Sequence, residues 1–115
     1  MRKIADITYR MTGFTFVREL LLALDPLTGD YSLHLALSEL EQPQARSITA
    51  DFDEISELSI REFGGGWTQF LYLAVEDLST KQRDRVHFRV RELERDVLTF
   101  VCARVQVSEP SSLSA

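Results

Sequence analysis

Between Tyr31 and Leu37 apolar residues fall at every second position (Tyr31, Leu33, Leu35, Leu37), with Ser32, His34 and Ala36 between them. That period of two predicts a strand with one face covered. Upstream, Phe14, Phe16, Leu20, Leu22 and Leu24 alternate, interrupted by Arg18, within a stretch that also has good helix propensity. The adjoining segment selects the strand: Asp25-Pro-Leu-Thr-Gly-Asp30 is a turn, with a φ-restricting proline and a glycine able to take positive φ. Residues 14–38 therefore read as one hairpin.

The polar stretch 41–46 reads as a loop. Beyond it, Ile48, Ala50 and Phe52 alternate with Thr49, Asp51 and Asp53, and Leu58 and Ile60 resume after a break near Asp53-Glu54. This is either two short strands or one strand with a bulge. Gly64-Gly65-Gly66 marks a hairpin connection or bulge needing positive φ, with the missing Cβ atoms letting a neighbouring backbone or the Trp67 ring approach. From Trp67 to Val75 apolar residues occupy both parities, the pattern of a strand covered on both faces. Residues 77–84 read as a turn or loop, and 86–107 as a closing hairpin. Ile4, Ile7 and Met11 have helical spacing too sparse to assign the first residues. The expectation is one mostly β domain over 1–107, an antiparallel sandwich or strongly curved sheet of about seven strands, with 108–115 a disordered tail.

The chain has 115 residues, 44% of them hydrophobic and 27% charged, which suits one globular core. Its net charge of -5 argues against a general nucleic-acid or anionic-membrane binder. A single cysteine rules out an intramolecular disulfide, and the N-terminus Met1-Arg-Lys-Ile-Ala-Asp-Ile lacks the apolar stretch of a signal peptide, so the expected address is the cytoplasm. Charge is unevenly placed. Residues 25–62 hold nine acids against two bases, while 81–95 hold six bases against three acids. Either the two segments pair across the sheet, or the acidic half forms a patch that steers a basic protein partner.

Candidate chemistry is sparse. A hairpin turning at Glu94-Arg95, with Leu93 opposite Asp96, would set His87 opposite Cys102, the only pairing here that suits a nucleophile and its base. Set against it, a lone cysteine on a half-buried strand is an ordinary packing residue. No His or Cys spacing suits a metal, and Asp51, Asp53 and Glu54 read as a solvated acidic edge, so neither metal nor cofactor is expected. The glycine triplet opens a strand, not a helix, and lacks the lysine of a phosphate loop. Phe70, Tyr72 and Phe88 could enclose an apolar ligand, the alternative to a protein-binding role.

Within Ile48–Val107, the runs Phe52-Asp-Glu-Ile-Ser-Glu-Leu-Ser-Ile, Phe63-Gly-Gly-Gly-Trp-Thr-Gln, Val75-Glu-Asp-Leu-Ser, Phe88-Arg-Val-Arg-Glu-Leu-Glu and Leu98-Thr-Phe-Val-Cys resemble small, mostly β bacterial proteins, among them immunity proteins of polymorphic toxin systems. The resemblance is one of strand-and-turn pattern and carries no catalytic residue across. It implies a non-enzymatic protein whose acidic surface occupies the active site or substrate-binding face of a cognate toxin. The residues expected to bind such a partner are Asp51, Asp53, Glu54 and Glu57 by attraction, with Trp67 and Tyr72 as aromatic anchors.

Overall fold

A computed structural model describes residues 4–78 and 87–111. Among these residues lie one helix, α1 (Ile4–Met11), and eight strands: β1 (Phe16–Asp25), β2 (Asp30–Ser38), β3 (Ser47–Ile60), β4 (Thr68–Gln69), β5 (Leu73–Asp77), β6 (Phe88–Glu92), β7 (Leu98–Cys102) and β8 (Arg104–Val107). All pair antiparallel in one sheet of order β4-β1-β2-β3-β7-β6-β5, with β8 also paired to β3. Of the two expected forms, the protein takes the strongly curved sheet.

The β1–β2 hairpin forms as its turn chemistry requires. The Asp25 carboxylate accepts the Leu27 amide at 2.9 Å, the Asp25 carbonyl accepts the Gly29 amide at 2.8 Å, and Gly29 takes φ +79°. β3 is the bulged single strand. Ser47–Asp53 lies between β2 and β8, and Ser56–Ile60 then pairs with β7. The switch falls at Glu54 and Glu57, whose φ values of 55° and 57° are unusual for residues with a Cβ. Each extra residue resets the parity. Ile48, Ala50 and Phe52 face the core, then Ile55, then Leu58 and Ile60 pack against it.

The run from Trp67 to Val75 differs from the expected two-sided strand. β4 and β5 sit on opposite edges of the sheet, and the sheet curls far enough for residues 70–72 to step from one edge to the other. Phe70 is buried at this seam, where its amide donates to the Thr15 carbonyl at 2.7 Å, and the Tyr72 carbonyl accepts the Leu93 amide at 2.8 Å. Apolar residues of both parities belong here to a crossing, not to a covered strand. The preceding glycines all have positive φ (104°, 76° and 118°), and a Cβ on any of them would meet nothing within 4 Å. Backbone conformation, and no close approach, explains the triplet.

The closing hairpin also differs from expectation. Its connection runs from Leu93 to Val97, longer than a two-residue turn, and Phe88, not His87, lies opposite Cys102. The cause is Glu92, buried at 1% exposure, whose carboxylate accepts the amides of Glu94, Arg95 and Val97 and shapes the loop around itself. The strand expected to continue to Val107 breaks at Ala103, where the chain leaves β6 and pairs as β8 with β3. Residues read as a tail continue beside β3 as far as Ser111, which exchanges backbone hydrogen bonds with Ser47. Of the expected loop at 77–84, Asp77 closes β5, and residues 79–84 lie outside the described residues, as do Val86 at the start of the hairpin and the end of the tail at 112–115.

Helix α1 covers one end of the curved sheet. Ile7 and Met11, one turn apart, enter the core with Phe14, and the Thr8 hydroxyl accepts the Val75 amide at 3.1 Å. Phe52 and Phe100 meet edge-to-face at 4.9 Å in the centre, among Leu33, Leu35, Leu37, Ile48, Val90 and Leu98. Each such side chain contributes roughly 1.5–3 kcal/mol through burial.

Candidate functional site

The far end of the β1–β2 hairpin is built differently. β3 flanks β2 as far as the Tyr31–Ile55 pair and then turns to β7, so that only the Asp25–Asp30 pair and the turn lie beyond it. Two grooves form where β3 parts from β2. The first, about 280 Å³, is bounded by Asp25, Asp30, Tyr31, Asp53, Glu54 and Arg104. Four carboxylates surround one guanidinium. Arg104 reaches Glu54 at 2.8 Å and Asp53 at 3.4 Å, which fixes the bulge acids in place. The hydrogen bond to Glu54 raises the guanidinium above its ordinary pKa, so Arg104 is a permanent cation in an acidic cleft.

The second groove, about 220 Å³, is lined by Leu22, Tyr31, Ile55, Ser56, Glu57 and Leu58 and is mostly apolar. Tyr31 forms a wall of both. Next to the grooves, Leu21, Leu22, Leu24 and Leu27 are exposed, Leu27 at 95%. An acidic cleft joined through a tyrosine to an apolar groove is a surface that can attract a basic partner and hold it by burial.

Of the residues expected to bind a partner, Asp53 and Glu54 line the acidic cleft and Glu57 borders the apolar groove. Asp51 lies further along β3, where its carboxylate meets His34 Nδ1 at 2.7 Å, and His34 Nε2 lies 3.3 Å from Glu19. Trp67 and Tyr72 line neither groove. Trp67 sits edge-on to Phe16 with ring centroids 6.3 Å apart, and Tyr72 lies exposed at the seam. The aromatic residue that does join the acids is Tyr31, which alternation alone marks as one more inward strand position. Its signal in the sequence is the neighbouring Leu20-Leu-Leu-Ala-Leu24, apolar on both parities immediately before a turn.

Phe70, Tyr72 and Phe88 do not line one pocket. Phe70 is core, Tyr72 is exposed, and Phe88 lines a groove with Asp53, Ala103 and Arg104. Cys102 is fully buried, and burial pushes its thiol up to about 12, so it is a protonated packing residue at neutral pH. His87 touches it through the backbone, its amide donating to the Cys102 carbonyl at 3.0 Å. Among the described residues no cluster of three His, Cys, Asp or Glu side chains could hold a metal ion. The expected pairing of acidic and basic segments takes a different form in the described part. Asp53 and Glu54 use Arg104, and Arg89 stands opposite Glu76 on β5. Lys81, Arg83 and Arg85 lie outside the described residues.

Compared with known proteins, residues 1–108 match the family model described as Immunity protein PIM8. No curated protein and no solved structure gives a match.

Proposed function

The chain belongs to the PIM8 family of immunity proteins, and from that premise we propose that it neutralises a bacterial toxin in the cytoplasm by seating a basic face of the toxin on the far end of its β1–β2 hairpin. The family implies a protein partner. The observation that supports this location is the union at Tyr31 of the acidic cleft with the apolar groove. The carboxylates of Asp25, Asp30, Asp53 and Glu54 accelerate encounter with a basic surface, and Tyr31, Leu22 and Leu58 supply the area that slows release. Inhibition follows from occupancy: a toxin face covered by this hairpin is closed to its substrate by bulk and by charge. No step of bond making is required of the immunity protein.

The test uses a cognate toxin domain, sought first among the products of neighbouring genes. Asp25→Asn with Asp30→Asn removes two charges and keeps a side-chain oxygen at Asp25 for the Leu27 amide, so the turn survives. The association rate at low salt is expected to fall about tenfold and to lose much of its salt dependence. Cells carrying the double variant should be less protected. A folded double variant that associates at the unchanged rate at low salt would overturn the electrostatic part of the proposal.

A further inference from the structure

Strand β1 has a neighbour on its outer side for only two residues. β4 pairs with Phe16 and Val17 and no further, because the chain preceding it turns off at Gly64-Gly65-Gly66. Among the described residues, the outer edge of Glu19–Asp25 has no strand beside it. That edge has few of the usual protections of an unpaired strand. Charges stand only at its two ends, Glu19 and Asp25; it contains no proline, its one bulge lies before Glu19, and leucines lie on both faces between the charges, with Leu21, Leu22 and Leu24 each about half exposed. Seven residues of extended chain offer a slot about 23 Å long.

From this edge we propose that Glu19–Asp25 is a strand-addition site, taking an extended segment of the partner that bears a lysine or arginine as one more antiparallel strand in the row β4 leaves vacant. The proposal deepens the reading of the chain as a protein binder and rests on it. Antiparallel addition fixes direction: the added segment starts beside Asp25 and ends at Trp67. Its first residue lies by Asp25 of the acidic cleft, which calls for a basic side chain there. Its last residue meets the groove of about 360 Å³ formed by Val17, Arg18, Gly66 and Trp67, which gives Trp67 the anchoring role its exposure suggests. Between them, leucines on both faces favour β-branched residues in the added strand.

Charge excludes a second copy of this chain as the occupant. Two copies paired edge to edge obey a two-fold axis, and the register that uses all seven residues centres on Leu22. It sets Glu19 opposite Asp25 of the second copy, and repeats that contact by symmetry. Like charges directly opposite each other destabilise a strand pair, and both copies already carry a net charge of -5.

A capped heptapeptide, Lys-Val-Thr-Val-Thr-Val-Phe, tests the edge without any toxin. Added to the isotope-labelled protein, it should shift the amide resonances of Glu19–Asp25 and the Trp67 indole, saturating on the order of 1 mM. The same peptide with alternate backbone nitrogens methylated keeps every side chain and loses the ladder, so it should bind at least about tenfold more weakly. Replacing its lysine by glutamate should weaken it as well. Equal binding by the methylated peptide, shifts elsewhere on the protein, or no shifts would each overturn strand addition. Shifts of the same amides with protein concentration alone, together with a dimer in sedimentation, would overturn the heterologous occupant in favour of a second copy. Failure here leaves toxin binding to its own test, and failure of toxin binding leaves the peptide result standing.

Discussion

Leu33, Leu35 and Leu37 of β2 are at most 1% exposed, whereas Leu21, Leu22 and Leu24 on the adjacent β1 are about half exposed. The residue type and the hairpin are the same. What differs is the position in the sheet. The β2 leucines sit in the core cluster with Phe52 and Phe100, flanked by β1 on one side and β3 on the other, whereas β1 has β4 beside its outer edge only at Phe16 and Val17 among the described residues. Apolar surface in the first place holds the fold together. In the second it holds nothing within the chain, which is the condition for an interface. The contrast predicts a split in what substitutions do, with core changes affecting stability and hairpin-end changes affecting binding.

The largest effect should come from Phe52→Ala. Phe52 is fully buried and packs edge-to-face on Phe100, so truncation leaves a cavity and should cost about 3–5 kcal/mol. Leu22→Ala should cost about 1 kcal/mol or less, since that side chain already meets water. Urea denaturation of the two variants checks this directly, and similar losses would erase the proposed distinction between the regions.

An intermediate effect is expected from acid, and again on one side only. Burial by itself would raise the Glu92 carboxyl, but the amides of Arg95, Val97, Glu94 and Tyr72 together outweigh it and hold the group below its ordinary value of 4.5. Because the folded-state value is the lower one, the stability this carboxylate contributes is present above pH 4.5 and lost as pH falls through the folded value. Glu92→Ala orphans those amides and should cost roughly 1–3 kcal/mol at neutral pH. In Glu92→Gln the contribution of this group to acid sensitivity should disappear, read as a flatter stability curve below pH 4.5. An unchanged curve would remove Glu92 as the organiser of the β6–β7 connection.

The same contrast explains how far the sequence could be read. Alternation located the β1–β2 hairpin, and the three-residue steps from Phe52 to Ile55 and from Ile55 to Leu58 already contain the two bulges of β3. Local patterns report local geometry. They could not show that β4 and β5 lie on opposite edges, because nothing local to Trp67–Val75 records how far the sheet curls. The register of β6 with β7 was hidden for a related reason: it depends on a carboxylate folding the loop inward, and Glu92 reads in sequence as one more surface acid. The acids Asp53 and Glu54 were visible as a charged break in a strand. Tyr31 as their neighbour was not, since its exposure depends on where β3 departs.

The smallest effect on the fold, and the sharpest on function, should come from Leu27→Ser. Leu27 sits at the apex of the turn at 95% exposure, and the turn is held through its backbone amide, not its side chain. Replacing the isobutyl group by a hydroxymethyl removes no buried contact, so stability should change by about 0.5 kcal/mol or less. If the hairpin end seats the toxin, the same change takes an apolar side chain out of the interface and should raise the dissociation rate several-fold, up to roughly tenfold, with little effect on association. Association is governed by Asp25, Asp30, Asp53 and Glu54, which the substitution leaves intact. Leu27→Ser and the Asp25→Asn, Asp30→Asn pair should therefore separate the two rates. A Leu27→Ser protein of unchanged stability and unchanged dissociation rate would put the apex outside the contact and confine the interface to the grooves on either side of Tyr31.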